Sequence, residues 1–262
     1  MGRAELVTRI AILHPGQMGS EVGHALRDAG HDVGWLPKGR GSGTRRRADE
    51  AGLVELSDLS ACEVVLSICP PGAAVDTAGT IEGFTGLYVD ANAISPETAA
   101  EVAAVVTELG ATYVDGGIIG PPPKRAGTTR LYLSGEQAVR VARLFDGTPL
   151  ESMVIEAGDL AASAVKMTYA AWTKISAALL ISIARAADQL GVAESLATEW
   201  ERSQPGLKSR LESSIGSARS KGWRWADEMH EIAHTFEAAG QPGGFGEAAA
   251  EQFARWPRPA DG

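Results

Sequence analysis

Cysteine is scarce in this chain: Cys62 and Cys69 are the two among 262 residues. They form no CxxC pair, so a disulfide framework is excluded, structural zinc has no support, and both are expected to be reduced thiols. Positive charge is also short, with 24 Lys and Arg against 33 Asp and Glu and a formal net charge of −9. A nucleic-acid partner would need a basic face, and none is expected. Uninterrupted apolar runs are short of the roughly 18 to 20 residues that span a bilayer. The opening MGRAELVTRIAILHPG passes from a few charged residues straight into a β-like run, without the core and cleavage site of a signal peptide. These absences lead to the expectation of a cytoplasmic protein with neither membrane nor nucleic acid as partner. Internal repeats and low-complexity linkers are missing as well.

What is present is ordinary for a globular chain: 44% hydrophobic and 22% charged residues, and a length that suits one or two domains. Short β-branched runs alternate with Ala-rich stretches over about the first 155 residues, the rhythm of a parallel sheet covered by helices. Strands are expected at 9–13, 32–36, 64–68, 87–90, 112–115, 130–133 and 153–155, with crossover helices at 19–29 and 96–109. From Leu160 to Leu190 there is no Gly or Pro, and Ala, Leu and Ile recur at helical spacing. One helix of about 45 Å is expected there, too apolar to stand alone in water. Gly191, Pro205 and the QPGGFG segment divide the remainder into further helices, and the tail RWPRPADG is expected to be loosely held. The predicted architecture is α/β: a Rossmann-type doubly wound parallel sheet over 1–158, then an all-α domain over 159–262 with a long interdomain helix.

The first chemical signal is His14-Pro15-Gly16-Gln17-Met18-Gly19, placed between the first strand and the first helix. There the free N–H groups and the positive end of the helix attract a diphosphate, and glycine lets the backbone approach it. Against G-x-G-x-x-G, Gly16 and Gly19 supply the second and third glycines while His14 holds the first position. An ordinary strand-to-helix loop would read similarly. At the end of the second strand, an NAD site would carry an acid that holds the ribose hydroxyls. Here Trp35 to Arg47 reads WLPKGRGSGTRRR, with no acid before Asp49. A glycine-rich flexible loop offering Lys38, Arg40, Ser42 and Thr44 to a 2′-phosphate is expected, which favours NADP; a solvated basic loop is the plainer alternative.

In this order the segments resemble the β-hydroxyacid dehydrogenases related to 6-phosphogluconate dehydrogenase. After the phosphate loop come Ser67-Ile68-Cys69-Pro70-Pro71 and then Val89-Asp90-Ala91-Asn92-Ala93-Ile94-Ser95-Pro96, similar to the family's D-x-S-T-x-S-P turn. Asp115-Gly116-Gly117-Ile118-Ile119-Gly120-Pro121, with Gly127-Thr128 following, is similar to its substrate-binding D-A-P-V-S-G-G…G-T segment. Gly158 and Lys166 fall where the family has G…K-x-x-N-N, and Lys221 to Met229 resembles a subgroup whose helical domain is known only as phosphogluconate-dehydrogenase-like. The resemblance implies nucleotide contacts from the phosphate loop, from Cys69, Pro70 and Pro71 and from Asn92, a catalytic role for Lys166 with Asn92 beside it, and substrate near Ile118, Ile119 and Gly120 in a cleft between the domains. Beyond the resemblance, Tyr169 is expected to share the catalytic role, and Thr173, Trp223 and Glu228 to border the substrate.

The chain departs from that pattern where Ile119 stands for the substrate-binding serine, Pro121 for the next glycine, and Tyr169 and Ala170 for the two asparagines. A substrate bulkier or less polar than a three-carbon hydroxyacid is expected. On a helix Lys166, Tyr169, Ala170 and Thr173 share one face. Lys166 either snorkels to the surface or, if buried, hands a proton to a carbonyl oxygen. The alternatives are imine reduction, non-catalytic NADPH binding, and zinc hydrolysis through His230-Glu231-Ile232-Ala233-His234 with Glu247 or Glu251 as third ligand. No stoichiometric metal is expected. A homodimer around the long helix is expected, with Trp172, Trp200, Trp223 and Trp225 shielded in it.

Overall fold

The computed structural model describes residues 7–257, so the expectation for the tail beyond Pro257 lies outside the described residues. Two compact units divide between Lys166 and Met167. In the first, eight strands form one sheet: β1 Arg9–Ile12, β2 Asp32–Trp35, β3 Val54–Glu55, β4 Val64–Ser67, β5 Leu87–Asp90, β6 Thr112–Ile119, β7 Thr129–Ser134 and β8 Leu150–Val154. Their spatial order is β3-β2-β1-β4-β5-β6-β7-β8. Strand residues alternate between two apolar layers: Ile10, Ile12, Leu66 and Val89 pack on one face, Ala11, Leu13, Val65 and Tyr88 on the other. Burial on both faces explains why these strands read as continuous apolar runs.

The helices of this unit are α1 Gln17–Asp28, α2 Ser42–Glu50, α3 Ala74–Ala78, α4 Pro96–Glu108 and α5 Ala138–Arg143, together with the first turns of α6 Ala161–Ala170. Helix α4 starts as its sequence demands, with the Ser95 hydroxyl accepting from Thr98 N at 3.1 Å and Pro96 at the first position. The doubly wound parallel sheet is as expected, with one antiparallel pair, β6 and β7; the segment 120–128 between them is too short for a crossover, which takes a dozen or more residues. Two expectations need correction. Strand β6 continues four residues past Asp115 to Ile119, because Gly116 and Gly117 let neighbouring backbone come close on both sides. The expected flexible loop from Trp35 to Arg47 instead turns into α2 at Ser42, held by the fully buried Ala48 and by Arg47, whose Nε donates to Pro15 O at 3.3 Å.

The second unit is helical: the rest of α6, a π-helical turn Ala171–Ile175, α7 Ser176–Gln189, α8 Ala193–Ser203, α9 Leu207–Lys221, α10 Trp225–Ala238 and α11 Gly244–Ala254. Through the π turn, α6 and α7 make one continuous helix of 29 residues, about 44 Å long. By length and composition alone it is apolar enough to cross a membrane. That corrects the expectation that no segment reaches this limit, since Lys174 is the one charged side chain between residues 167 and 184. The core of this unit gathers Ala218, Met229, Ile232 and Phe253, with Trp225 edge-on to Phe253 at 4.9 Å between ring centroids.

Candidate active site

The strand order reverses between β1 and β4, and the carboxyl end of that junction is where open α/β sheets bind ligands. His14 to Gly19 leaves β1 on one side of it and Cys69 to Pro71 leaves β4 on the other. Gly16 precedes α1, whose first turn has neither a side-chain cap nor an acid. Its own N–H donates to His14 O at 2.7 Å. A methyl group on Gly16 would meet open space, whereas one on Gly19 would overlap the His14 carbonyl oxygen and press on Ile12 at 3.3 Å. Gly19 therefore serves close helix–strand packing, and Gly16 leaves its backbone open to an approaching phosphate.

Arg40 reaches back from the β2 end to this loop. Its two terminal nitrogens lie 3.0 and 2.9 Å from Nδ1 and Nε2 of His14, and the Thr77 hydroxyl stands 3.4 Å from Nε2. Burial, and secondly the Arg40 guanidinium, push the His14 imidazole down to about 4. The ring is neutral at pH 7 and accepts from Arg40 through whichever nitrogen is bare. The Nε of Arg40 is buried without a partner among the described residues. An uncapped helix end, an open Gly16 and an arginine with an unused donor together fit an anionic, diphosphate-bearing group. Of the other residues proposed by the sequence of this segment, Lys38 and Ser42 are exposed, and nearby Arg45 pairs with Glu55 at 2.7 Å and lies over Trp35.

Asn92 lies at the same end of the sheet, 2% exposed, and both ends of its amide are hydrogen-bonded. Its Oδ1 accepts from Cys69 N at 2.6 Å and its Nδ2 donates to Ser67 Oγ at 3.1 Å, tying the loop after β5 to the loop after β4. Cys69 sits half-buried beside it, its thiol pushed up mainly by burial.

Across the sheet, Ser67, Asp90, Asp115 and Ser134 occupy register-matched positions on β4, β5, β6 and β7, all fully buried. Asp115 accepts from Ser134 Oγ at 2.9 Å, from Ser163 N at 2.9 Å and from Ser163 Oγ at 2.5 Å. Ser134 Oγ also accepts from Ala162 N at 3.0 Å. Burial pushes the Asp115 carboxyl up, while the Ser163 and Ser134 hydrogen bonds pull it back. Two residues further along β6, a side chain on Gly117 would stand 2.8 Å from Lys166 Cβ and 2.9 Å from Ala162 O. Lys166 thus starts its course directly over β6, near the strand end. Of the three substrate-segment residues there, Ile118 packs within the core, Ile119 is buried, and Gly120 is exposed with a φ of +125°.

Tyr169, Thr173, Trp223 and Glu228 belong to the helical unit. The π turn begins at Ala171, so the regular spacing that put Thr173 in line with Lys166 and Ala170 ends there; the wider turn displaces it. Ala170 is buried whereas Tyr169 is exposed. Glu228 forms a buried ion pair with Lys174, whose ammonium also lies 5.7 Å from the centroid of Trp225. Sequence reasoning missed Lys174; a lone charge in an otherwise apolar helical run was the available signal. In the HEIAH segment, His230 pairs with Glu247 at 3.1 Å on the surface, and no cluster of three or more metal-ligating side chains occurs among the described residues.

The C-terminal residues 187–256 match a family known as a domain of unknown function, DUF1932. A 28.5 kDa uncharacterized protein encoded in the 7S RNA 5′ region of Methanothermus fervidus is 27% identical over 225 residues, covering 81% of this chain and 86% of that protein. Among solved structures, a conserved protein of unknown function described as similar to 3-hydroxyacid dehydrogenases superposes with a TM-score of 0.71 at 27% identity, covering 94% of this chain and 95% of that one. The 3-hydroxyisobutyrate dehydrogenase of Mycobacterium tuberculosis, solved with L-serine, gives 0.70 at 20% identity, covering 95% and 94%. By fold, the chain is similar to 3-hydroxyacid dehydrogenase-like proteins, and its residues 187–256 match the DUF1932 domain.

Proposed function

We propose that this protein is an NADP-dependent oxidoreductase that moves a hydride between the nicotinamide and a carbonyl carbon, with Lys166 as proton donor in reduction and acceptor in oxidation. The observation that carries the reading is the placement of Lys166 over β6 within the same unit as the open phosphate loop. Bound NADPH supplies the hydride. The chain supplies the rest: the uncapped α1 end and Gly16 hold the diphosphate, Arg40 with Lys38 and Ser42 meets the 2′-phosphate, and Asn92 fixes the loop bearing Cys69, Pro70 and Pro71. Lys166 delivers a proton to the carbonyl oxygen as negative charge develops there. Ile119 and Ala170, apolar where the resembled family is polar, favour a bulkier or less polar carbonyl than a three-carbon hydroxyacid. Tyr169, Thr173, Trp223 and Glu228 are the residues proposed to border it from the helical unit. The working form proposed is a homodimer.

Titration with NADPH and NADH tests the cofactor, with at least about tenfold tighter binding of NADPH expected, or about 1.4 kcal/mol from charge-assisted contacts. Equal affinities would sink NADP specificity, and Arg40→Ala should weaken NADPH selectively. Lys166→Met should lower turnover of a carbonyl panel by about 100-fold with NADPH affinity unchanged. If the variant keeps its turnover, the proton-donor role fails, and imine reduction with Tyr169 or Glu228 as donor becomes the reading to test.

A further inference from the structure

We propose that Asp115 is the positioning residue for Lys166: it clamps the first turn of α6 to the end of the sheet and so fixes where the lysine starts. This rests on the reading of Lys166 as proton donor.

The first N–H groups of a helix have no partner inside it and are commonly capped by the residue just before the helix. In α6 they are met from outside the helix. Ala162 N bonds to Ser134 of β7 and Ser163 N to Asp115 of β6, residues paired across the two strands. A carboxylate at this point also meets the positive end of the helix dipole. Asp115 and Ser134 are fully buried and Ser163 nearly so. Burying a carboxylate is costly unless its oxygens are satisfied, and three donors satisfy Asp115. An apolar contact in its place would be cheaper but would let the helix slide, whereas directional bonds admit one register.

Gly117 supplies the second constraint. It lies two residues along β6 from Asp115 and therefore on the same face. Any side chain there would collide with Lys166 Cβ and Ala162 O. The polar clamp acts at Ser163 and the steric fit at Lys166, one helical turn further on. Two contacts a turn apart set both the height and the rotation of the helix over the strand. Lys166 inherits its origin from them, and a shift of about 1 Å at a reacting group can cost 100-fold in rate.

The test compares full-length wild type with Asp115→Asn, Asp115→Glu and Ser163→Ala. Trace labelling with acetic anhydride across a pH series, mapped by peptide mass, gives the reactivity profile of the Lys166 amine, with Lys124 and Lys208 as internal references. Asp115→Asn should displace the Lys166 profile and leave the references unchanged, Ser163→Ala should do the same to a smaller degree, and Asp115→Glu should restore it in part. In NADPH-dependent reduction of the best substrate from a carbonyl panel, Asp115→Asn should lower kcat about tenfold with KM for NADPH unchanged. A folded Asp115→Asn protein with wild-type Lys166 labelling and kcat overturns the proposal. If that variant does not fold, Ser163→Ala decides alone, and an unchanged Lys166 profile in it is equally fatal. Labelling that responds to Asp115 while Lys166→Met keeps its turnover would uphold the positioning and remove the catalytic reading instead.

Discussion

The sheet-bearing unit and the helical unit solve burial in different ways. In the first, the apolar strands fill two layers, and at their carboxyl ends Ser67 bonds to Asn92 while Asp115 and Ser134 bond to each other and to the first turn of α6. In the second, one long helix turns large apolar side chains outward: Trp172 is 68% exposed, Leu179 59%, and Leu190 at its end 76%. Its interior holds a charged pair, Lys174 and Glu228, at 15% and 9% side-chain exposure. The sheet unit exposes scattered apolar side chains such as Val54 and Val139, whereas the helical unit exposes larger ones along a single helix.

The largest effect that would sharpen this contrast is expected at the buried pair. Lys174→Met removes the ion-pair partner of the buried Glu228 carboxylate and should destabilise the helical unit by about 3 kcal/mol. Calorimetry should show a lower transition for that unit with nucleotide binding by the sheet unit retained; an unchanged melting profile would mean that the pair is solvated. Next comes the exposed stripe. If the proposed homodimer forms through this face, Leu179→Glu with Ile183→Glu should raise its dissociation constant by about 100-fold, or about 2.7 kcal/mol. Sedimentation that finds wild type monomeric at micromolar concentration would break the comparison, because the helical unit would then tolerate its exposed face.

A smaller effect is expected at the phosphate loop. Gly19→Ala should cost about 1 to 3 kcal/mol through overpacking against the His14 carbonyl, while Gly16→Ala, whose added methyl meets open space, should melt like wild type. Equal losses at both would contradict the division of labour between the two glycines. The smallest effect is on pH dependence. His14 titrates near 6.5 when unfolded and about 4 when folded, so the unfolded chain binds the extra proton between those values. Stability should be flat above about pH 6.5 and fall as pH drops toward 4. His14→Gln should flatten that slope in thermal melts; an identical slope would show that the histidine is not held neutral by its burial and Arg40.

Much of the fold was legible because its signals are local. Strands buried on both faces need runs of apolar residues, a phosphate loop needs glycines at set positions, and a 29-residue helix needs an uninterrupted stretch without Gly or Pro. Helix α2 was not legible, because Ser-Gly-Thr followed by three arginines has little helical pattern of its own. It forms because Ala48 is buried in the core and Arg47 reaches Pro15 O. The site was legible as segments rather than as partners. Asn92 was singled out for cofactor and catalysis, and the structure shows what its amide holds: the Cys69 loop and Ser67. Arg40 was read as a phosphate ligand at the β2 end, and it lies against His14.

By itself the sequence determined the alternation of strands and helices, the glycine spacing after β1, the acid-free β2 end and the long apolar helix, since each depends on residues within a turn or two of one another. Tertiary structure alone decided that β6 pairs antiparallel with β7, that Asp115 caps a helix 48 positions away, and that Lys174 meets Glu228 across 54 positions. The physical reason is that periodicity reports which face of an element is apolar. A hydrogen bond or ion pair between distant elements exists only once the packed layers have brought two particular side chains within about 3 Å of each other.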